Sequence, residues 1–71
     1  MKRKRTVGER IRQLRKSNGM RQKDIAQSLH VAENTVSDWE RNRTEPDIES
    51  IVQMAFLFKT STDYLLGKIN S

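Results

Sequence analysis

The segment from residue 33 to residue 41 carries side chains suited to hydrogen bonding with a partner. With Val36 as the centre of a buried helical face and about 100° per residue, four polar side chains point the other way: Asn34, Ser37, Asp38 and Arg41. Glu33 lies at the side of this face, near the helix start. An amide, a hydroxyl, a guanidinium and carboxylates at this spacing could recognise the edges of a polar partner. The same pattern is also typical of the solvated face of an ordinary amphipathic helix.

The charge of the chain is concentrated in its first third. Residues 1–23 hold ten Lys and Arg against one Glu, a net charge of +9, whereas residues 24–71 carry −4. Lys and Arg that neutralise phosphates release counterions, so this asymmetry favours a polyanionic partner. A solvated basic tail is the alternative, and charge alone does not separate the two.

The sequence contains almost none of the residues that catalysis or metal binding would need. The 71 residues include no Cys, a single His (His30) and three Gly, which supply no thiolate site, catalytic triad or phosphate-cradling loop. We therefore expect one small domain that is not an enzyme and has no metal, cofactor or small-molecule effector. No apolar run is long enough for a membrane span, and the basic start has no signal-peptide core, so we expect no membrane and a cytoplasmic location.

Hydrophobic spacing predicts five short helices and no strand, an all-α fold. The predicted ranges are about 7–17, 22–28, 33–41, a fourth helix opened by Pro46 and Asp47, and a fifth capped by Ser61. Thr6 and Glu9 form a capping-box pattern at the first start. His30 and Asn42 stand at tight breaks where left-handed backbone is expected. The predicted buried faces are Val7, Ile11 and Leu14 in the first helix, Ile25, Ala26 and Leu29 in the second, Ala32, Val36 and Trp39 in the third, and Ile48, Ile51, Val52, Ala55 and Phe58 in the fourth.

The second and third helices are joined by about three residues, as in a helix-turn-helix. From Val7 to Gly67 the chain resembles the Cro/repressor-type helix-turn-helix family of phage and bacterial regulators. The resemblance rests on Gly8 to Arg12 with Leu14-Arg15, Gln22 with Ile25-Ala26, Thr35-Val36-Ser37 with Trp39-Glu40-Arg41, Pro46-Asp47-Ile48, and Ser61 with Asp63 to Gly67. It implies a compact five-helix bundle and a sequence-specific DNA-binding transcriptional regulator, expected to be a repressor. Where the family often has Ser or Thr caps, this chain has Arg21 and Ala32.

The resemblance also assigns roles to individual residues. It places the third helix in the DNA major groove, so Glu33, Asn34, Ser37, Asp38 and Arg41 become the candidate base-reading set. Gln22 matches a glutamine that holds a backbone phosphate at a helix N-terminus. Neighbouring polar residues are candidates for further phosphate contacts: Arg21, Lys23, Asn42, Arg43 and Thr44. Arg15 and Glu40 match a structural salt bridge.

The sequence also predicts how the chain is divided and which partners it has. We expect a flexible basic arm at residues 1–5, the DNA-binding domain at residues 6–67 and a tail at residues 68–71. Phe56 is expected to be exposed and to mark the surface of a homodimer on a two-fold symmetric operator, with burial beneath the fifth helix or the C-terminal tail as the alternative. The alternative function is a protein-binding module, such as an antitoxin or adaptor, which the acids Glu33 and Asp38 favour.

Overall fold

The computed structural model describes residues 5–67 and contains five helices in that range. They are α1 (Val7–Ser17), α2 (Gln22–Leu29), α3 (Glu33–Glu40), α4 (Ile48–Phe58) and α5 (Thr62–Leu65), with no strand among the described residues. The predicted all-α, five-helix fold is therefore confirmed. Apart from Arg5, the predicted basic arm lies outside the described residues, as does the predicted tail at residues 68–71.

Three helices begin directly after a residue whose side chain accepts a hydrogen bond from a backbone N–H in the first turn. The Thr6 hydroxyl accepts the Glu9 N–H (3.1 Å) and the Glu9 carboxylate accepts the Thr6 N–H (2.8 Å), which confirms the predicted capping box. Asp47 accepts the Ser50 N–H at 3.0 Å as the N-cap, so α4 begins at Ile48, directly after the Pro46 and Asp47 that were predicted to open it. Ser61 caps α5 as predicted. Neither Arg21 nor Ala32 offers a side-chain cap, as their residue types led us to expect.

Tight turns between helices use left-handed backbone at residues other than glycine. His30 (φ 59°) joins α2 to α3 and Asn42 (φ 61°) follows α3, both as predicted. Lys59 (φ 56°) ends α4 in the same conformation, which the sequence did not indicate. Such residues lose about 1–2 kcal/mol to steric crowding, so packing around them must offset the strain. The result is a short, fixed connection that sets α2 and α3 against each other.

One apolar core joins all five helices. Its most buried side chains, with no exposed surface, are Ile11, Ile25, Val36, Met54 and Leu65. Around them lie Ala26, Leu29, Trp39, Ile51, Ala55 and Phe58. Each helix thus contributes an apolar stripe to the same core. The predicted stripe of α2 is buried in full, whereas in α1 Ile11 is buried and Val7 and Leu14 are half-buried against it.

Three predicted core positions are wrong. Ala32 is exposed because it is the N-cap of α3 and has extended backbone (φ −71°, ψ 150°), so helical spacing does not apply to it. Ile48 is 83% exposed and Val52 is 38% exposed. The buried residues of α4 are Ile51, Met54, Ala55 and Phe58, and Met54 has no exposed surface. A helix with apolar residues on two sides can bury only one of them.

Candidate nucleic-acid interface

The five candidate base-reading residues lie along one side of α3 and its C-cap. Glu33, Asn34 and Arg41 are exposed, while Ser37 and Asp38 are half-buried. Val36 and Trp39 occupy the opposite side, within the core. Spacings of three and four residues stack the polar side chains along a single helical face. The face therefore offers amide, hydroxyl, carboxylate and guanidinium groups along about two helical turns.

The N-terminus of α2 lies open to an anion. The backbone N–H groups of Gln22 and Lys23 precede the first N–H that has a helical carbonyl partner, and Arg21 supplies no capping oxygen. Unpaired N–H groups and the helix dipole together favour negative charge at this end. Lys23 is exposed beside them.

Asp24 closes part of the α2 start and was not singled out by sequence reasoning. Its carboxylate accepts the Arg21 backbone N–H (2.8 Å) and pairs with the Arg21 guanidinium (3.2 Å). These hydrogen bonds hold the pKa of Asp24 below its ordinary range and raise that of Arg21. The sequence feature that could have predicted this contact is the three-residue spacing of Arg21 and Asp24 at a helix start. The Arg21 guanidinium is exposed but already paired within the chain.

Three side chains meet at the end of α3. Arg15 reaches across from α1 and donates from Nε to Glu40 Oε2 (2.6 Å) and from Nη2 to Glu40 Oε1 (3.1 Å). Gln22 Nε2 donates to the same Oε1 at 3.1 Å. The Glu40 side chain is 4% exposed and that of Arg15 is 13% exposed. The matched Arg15–Glu40 pair thus forms in this structure, and Gln22 joins it.

The loop after α3 is tied to the start of α1. Asn42 Oδ1 accepts the Gly8 N–H (3.3 Å), and Asn42 Nδ2 donates to the Thr6 hydroxyl (3.0 Å). The Asn42 side chain, a candidate phosphate contact, is therefore engaged within the protein. Arg43 and Thr44 follow it and are exposed.

Gly8 makes this junction possible. A Cβ atom built on Gly8 would lie 2.3 Å from the Trp39 carbonyl oxygen and 2.8 Å from that of Glu40. The first turn of α1 can approach the last turn of α3 only because residue 8 has no side chain. Sequence reasoning used Gly8 as part of a motif and did not derive this contact.

The Arg10 side chain is buried and adds little to the positive charge at the protein surface. It is 7% exposed, and its guanidinium carbon lies 5.1 Å from the centre of the Tyr64 ring, a cation–π contact between α1 and α5. Arg10 was counted with the other N-terminal cations. Because Arg10 and Arg15 both point inward, the net charge of residues 1–23 overstates the charge available to an external polyanion.

Phe56 lies on α4 and is 80% exposed, so its predicted exposure is confirmed and its burial beneath the fifth helix is excluded, while the C-terminal tail lies outside the described residues. Two hollows flank it. One, of about 470 Å³, lies towards α5 and is lined by Val52, Ala55, Phe56, Lys59, Thr60 and Thr62. The other, of about 340 Å³, lies towards α2 and is lined by Ser28, Leu29, Gln53, Phe56 and Leu57. None of the helices within residues 5–67 has the length and apolar character to traverse a bilayer.

Comparison with known proteins places this arrangement in a family. A family model described as helix-turn-helix matches residues 11–65. The HTH-type transcriptional regulator ImmR of Bacillus subtilis is 36% identical over 63 residues, which cover 89% of this chain and 50% of that protein. Repressor protein C2 of Salmonella phage P22 is 38% identical over 60 residues, covering 84% of this chain and 28% of that protein. The chain thus spans half or less of these relatives.

The fold comparison agrees. The crystal structure of the P22 c2 repressor protein in complex with a synthetic operator superposes with a TM-score of 0.82 and 37% identity, over 87% of this chain and 94% of that one. The resemblance predicted from the sequence is confirmed: the chain belongs to the Cro/repressor-type helix-turn-helix family.

Proposed function

We propose that this protein is a sequence-specific DNA-binding transcriptional regulator, acting as a repressor, and that α3 reads bases in the major groove. The observation that carries the proposal is the exposed polar face of α3, flanked by the open N-terminus of α2 and the loop at residues 42–44. A base-reading helix needs such flanks because phosphate contacts on either side fix its position in the groove. The operator-bound P22 c2 repressor has the same fold.

The chemistry of each α3 side chain determines which base edges it can recognise. Asn34 can pair bidentately with adenine, and Arg41 can donate to guanine. Glu33 and Asp38 can accept from the amino group of cytosine, and Ser37 can pair with either kind of base edge. The two acids also act against other sequences, since an acid without a cytosine amino group would be desolvated next to phosphates. The proposed site therefore gains specificity from rejection as well as from attraction.

The phosphate contacts come from the two flanks. Gln22, Lys23 and Arg21 act at the α2 end, with Arg21 sharing its guanidinium between Asp24 and DNA. Arg43 and Thr44 act from the loop after α3, whose shape is held by the Asn42 side chain. In this plan residues 6–67 form the DNA-binding domain, and the basic residues 1–5 add affinity that depends on salt.

We also propose that the protein binds its operator as a homodimer through the α4 face around Phe56. An exposed aromatic ring between two hollows is the kind of group that is buried at the centre of an interface. A two-fold dimer requires a two-fold operator with half-sites about one helical turn apart.

The test is selection of duplex DNA from a random pool at near-physiological salt, with sedimentation of the same sample. A palindromic motif with half-sites about one turn apart, bound at twice the monomer mass, is the expected result. Binding without a motif that vanishes as salt rises would contradict the proposal and favour the protein-binding module. Deletion of residues 1–5 serves as a control, because it should lower affinity and flatten the salt dependence while preserving the selected motif.

A further inference from the structure

The buried carboxylate of Glu40 holds a side chain that the proposed function assigns to DNA. Its Oε1 atom accepts from Arg15 Nη2 (3.1 Å) and from Gln22 Nε2 (3.1 Å). Glu40 is the last residue of α3 and Gln22 is the first of α2. The carboxylate therefore connects the end of the base-reading helix to the phosphate-binding end of its neighbour.

Stability alone gives little reason for an ion pair at this position. Apolar side chains of similar size often replace a buried ion pair without loss of stability. Arg15 also donates from Nη1 to the Met20 carbonyl (3.1 Å), which anchors the turn before α2. What an apolar pair would not provide is an acceptor for the Gln22 amide.

The bond to Glu40 fixes the orientation of that amide. A primary amide has two N–H donors and one carbonyl oxygen. Because a carboxylate accepts hydrogen bonds and repels a carbonyl oxygen, Glu40 requires the nitrogen of Gln22 to face it. One N–H is then spent on Glu40, and the second remains on the same nitrogen for another acceptor. Gln22 is half-buried, so few other rotamers are open to it.

We propose that Glu40 is a positioning residue for DNA binding, which orients the Gln22 amide so that its second N–H meets a backbone phosphate. This inference rests on the proposed function. Its physical basis is preorganisation, since the side-chain freedom of Gln22 is lost when the protein folds and not when DNA binds. Arg15 in turn holds Glu40, so the three side chains act in series.

A double-mutant cycle on DNA affinity tests the proposal. Gln22→Ala should weaken binding to the selected operator about tenfold in the wild-type protein, as expected for loss of a hydrogen bond to a charged group. In a Glu40→Gln background, where neither end of the Gln22 amide is preferred, the same change should cost no more than about twofold. An equal cost in both backgrounds would overturn the inference and leave the proposed function standing.

Two further variants separate positioning from stability. Ile51→Val removes a methyl group from the apolar core, and in this background Gln22→Ala should retain its full cost, because the change leaves the hydrogen bonds of Arg15, Glu40 and Gln22 in place. If Glu40→Gln does not fold, Arg15→Met combined with Glu40→Met replaces the buried pair with apolar groups and again leaves Gln22 without its acceptor. A full cost of Gln22→Ala in that double background would likewise overturn the inference.

A second readout needs no DNA. In the NMR spectrum of the free protein, one side-chain N–H of Gln22 should be shifted away from those of the exposed Gln27 and should exchange more slowly with water. Glu40→Gln should remove this difference. A Gln22 amide that resembles that of Gln27 in the wild type would overturn the inference even if operator binding is strong. Failure of the wild type to select any duplex would instead overturn the proposed function, and the inference with it.

Discussion

The two sides of the molecule differ in how their exposed groups are held. On the α2–α3 side, polar side chains from separate helices are fixed by one another, as in Arg15, Glu40 and Gln22. On the α4 side, Ile48 and Phe56 are 83% and 80% exposed, and nothing within residues 5–67 covers them. The polar groups on the first side are held in place by contacts within the chain. The second is an apolar surface that residues 5–67 leave uncovered, and patches of this kind often mark interaction sites.

The largest expected effect comes from breaking the network on the polar side. Arg15→Met leaves the Glu40 carboxylate, 4% exposed, without its guanidinium. We expect a loss of about 4 kcal/mol in the free energy of unfolding, because one uncompensated charge remains buried. Urea denaturation measures it.

The matched control for Arg15→Met is the double variant with Glu40→Met. It should return to within about 1 kcal/mol of the wild type, since no buried charge is left. A single variant that costs less than about 1 kcal/mol would mean that Glu40 is well solvated and that the polar side is no more ordered than the α4 face.

Gly8→Ala should be nearly as damaging. The new Cβ would lie 2.3 Å from the Trp39 carbonyl oxygen, so α1 must move away from the end of α3. We expect a loss of about 3 kcal/mol, measured by thermal or urea unfolding. Gly19→Ala is the control, because Gly19 (φ 66°) has open space around it and only its backbone conformation is disfavoured, by about 1 kcal/mol. Equal losses from both variants would contradict the close helix contact.

The proposed function divides the polar side into base-reading residues and phosphate-binding residues. Asn34→Ala should weaken binding to the selected operator by about 2 kcal/mol and change little on unrelated duplexes, because it removes a base contact. Gln22→Ala should weaken both kinds of duplex by similar factors. Competition titrations with the two DNAs measure the difference. A uniform loss from Asn34→Ala would contradict the assignment of α3 as the reading helix.

The α4 face is tested by Phe56→Ser. Folding stability should change by no more than about 0.5 kcal/mol, since the ring is 80% exposed. Affinity for the full operator should fall by about 1 kcal/mol or more, with unchanged affinity for a single half-site, because the dimer contact is lost. Ile48→Ser is the control, as Ile48 is equally exposed but lines neither hollow beside Phe56. An equal effect of both variants would mean that Phe56 has no special contact.

The sequence predicted what depends on local pattern. The capping box of Thr6 and Glu9, the left-handed turns at His30 and Asn42, and the buried stripes of α1 and α2 each involve residues close in sequence, whose spacing determines the outcome. The family resemblance added the pairing of Arg15 with Glu40. These features cover the fold and the position of the candidate site.

The rest depends on contacts that no local pattern contains. Val52 and Met54 are both apolar residues of α4, and only the packing of α4 on the core decides that Met54 is buried and Val52 is not. Charge counting likewise treats Arg10 and Lys23 alike, although Arg10 is buried against Tyr64 and Lys23 is exposed. The bond from Gln22 to Glu40 joins residues 18 positions apart and requires the angle between α2 and α3.

The smallest expected effects concern the helix starts, one on each side of the molecule. Hydrogen bonds from Arg21 lower the pKa of Asp24, and hydrogen bonds from Ser50 lower the pKa of Asp47. A carboxylate with a lowered pKa in the folded state stabilises the protein above its ordinary value of about 3.9, and this contribution is lost as the pH falls through the folded-state pKa. Asp24→Asn and Asp47→Asn should therefore each flatten the fall of the free energy of unfolding below about pH 4.

Salt separates these two carboxylates. Asp24 is held in part by an exposed cation, so added salt should weaken its contribution at low pH, while the backbone hydrogen bond from Arg21 keeps the rest. Asp47 is held by backbone and hydroxyl groups of Ser50, so its contribution should persist in salt. Unfolding curves across pH at low and high ionic strength measure both. An equal loss of both carboxylate contributions in salt would contradict this prediction. It would mean that long-range electrostatic attraction holds both helix starts, so that the ion pair at the α2 start would no longer distinguish it from the α4 start.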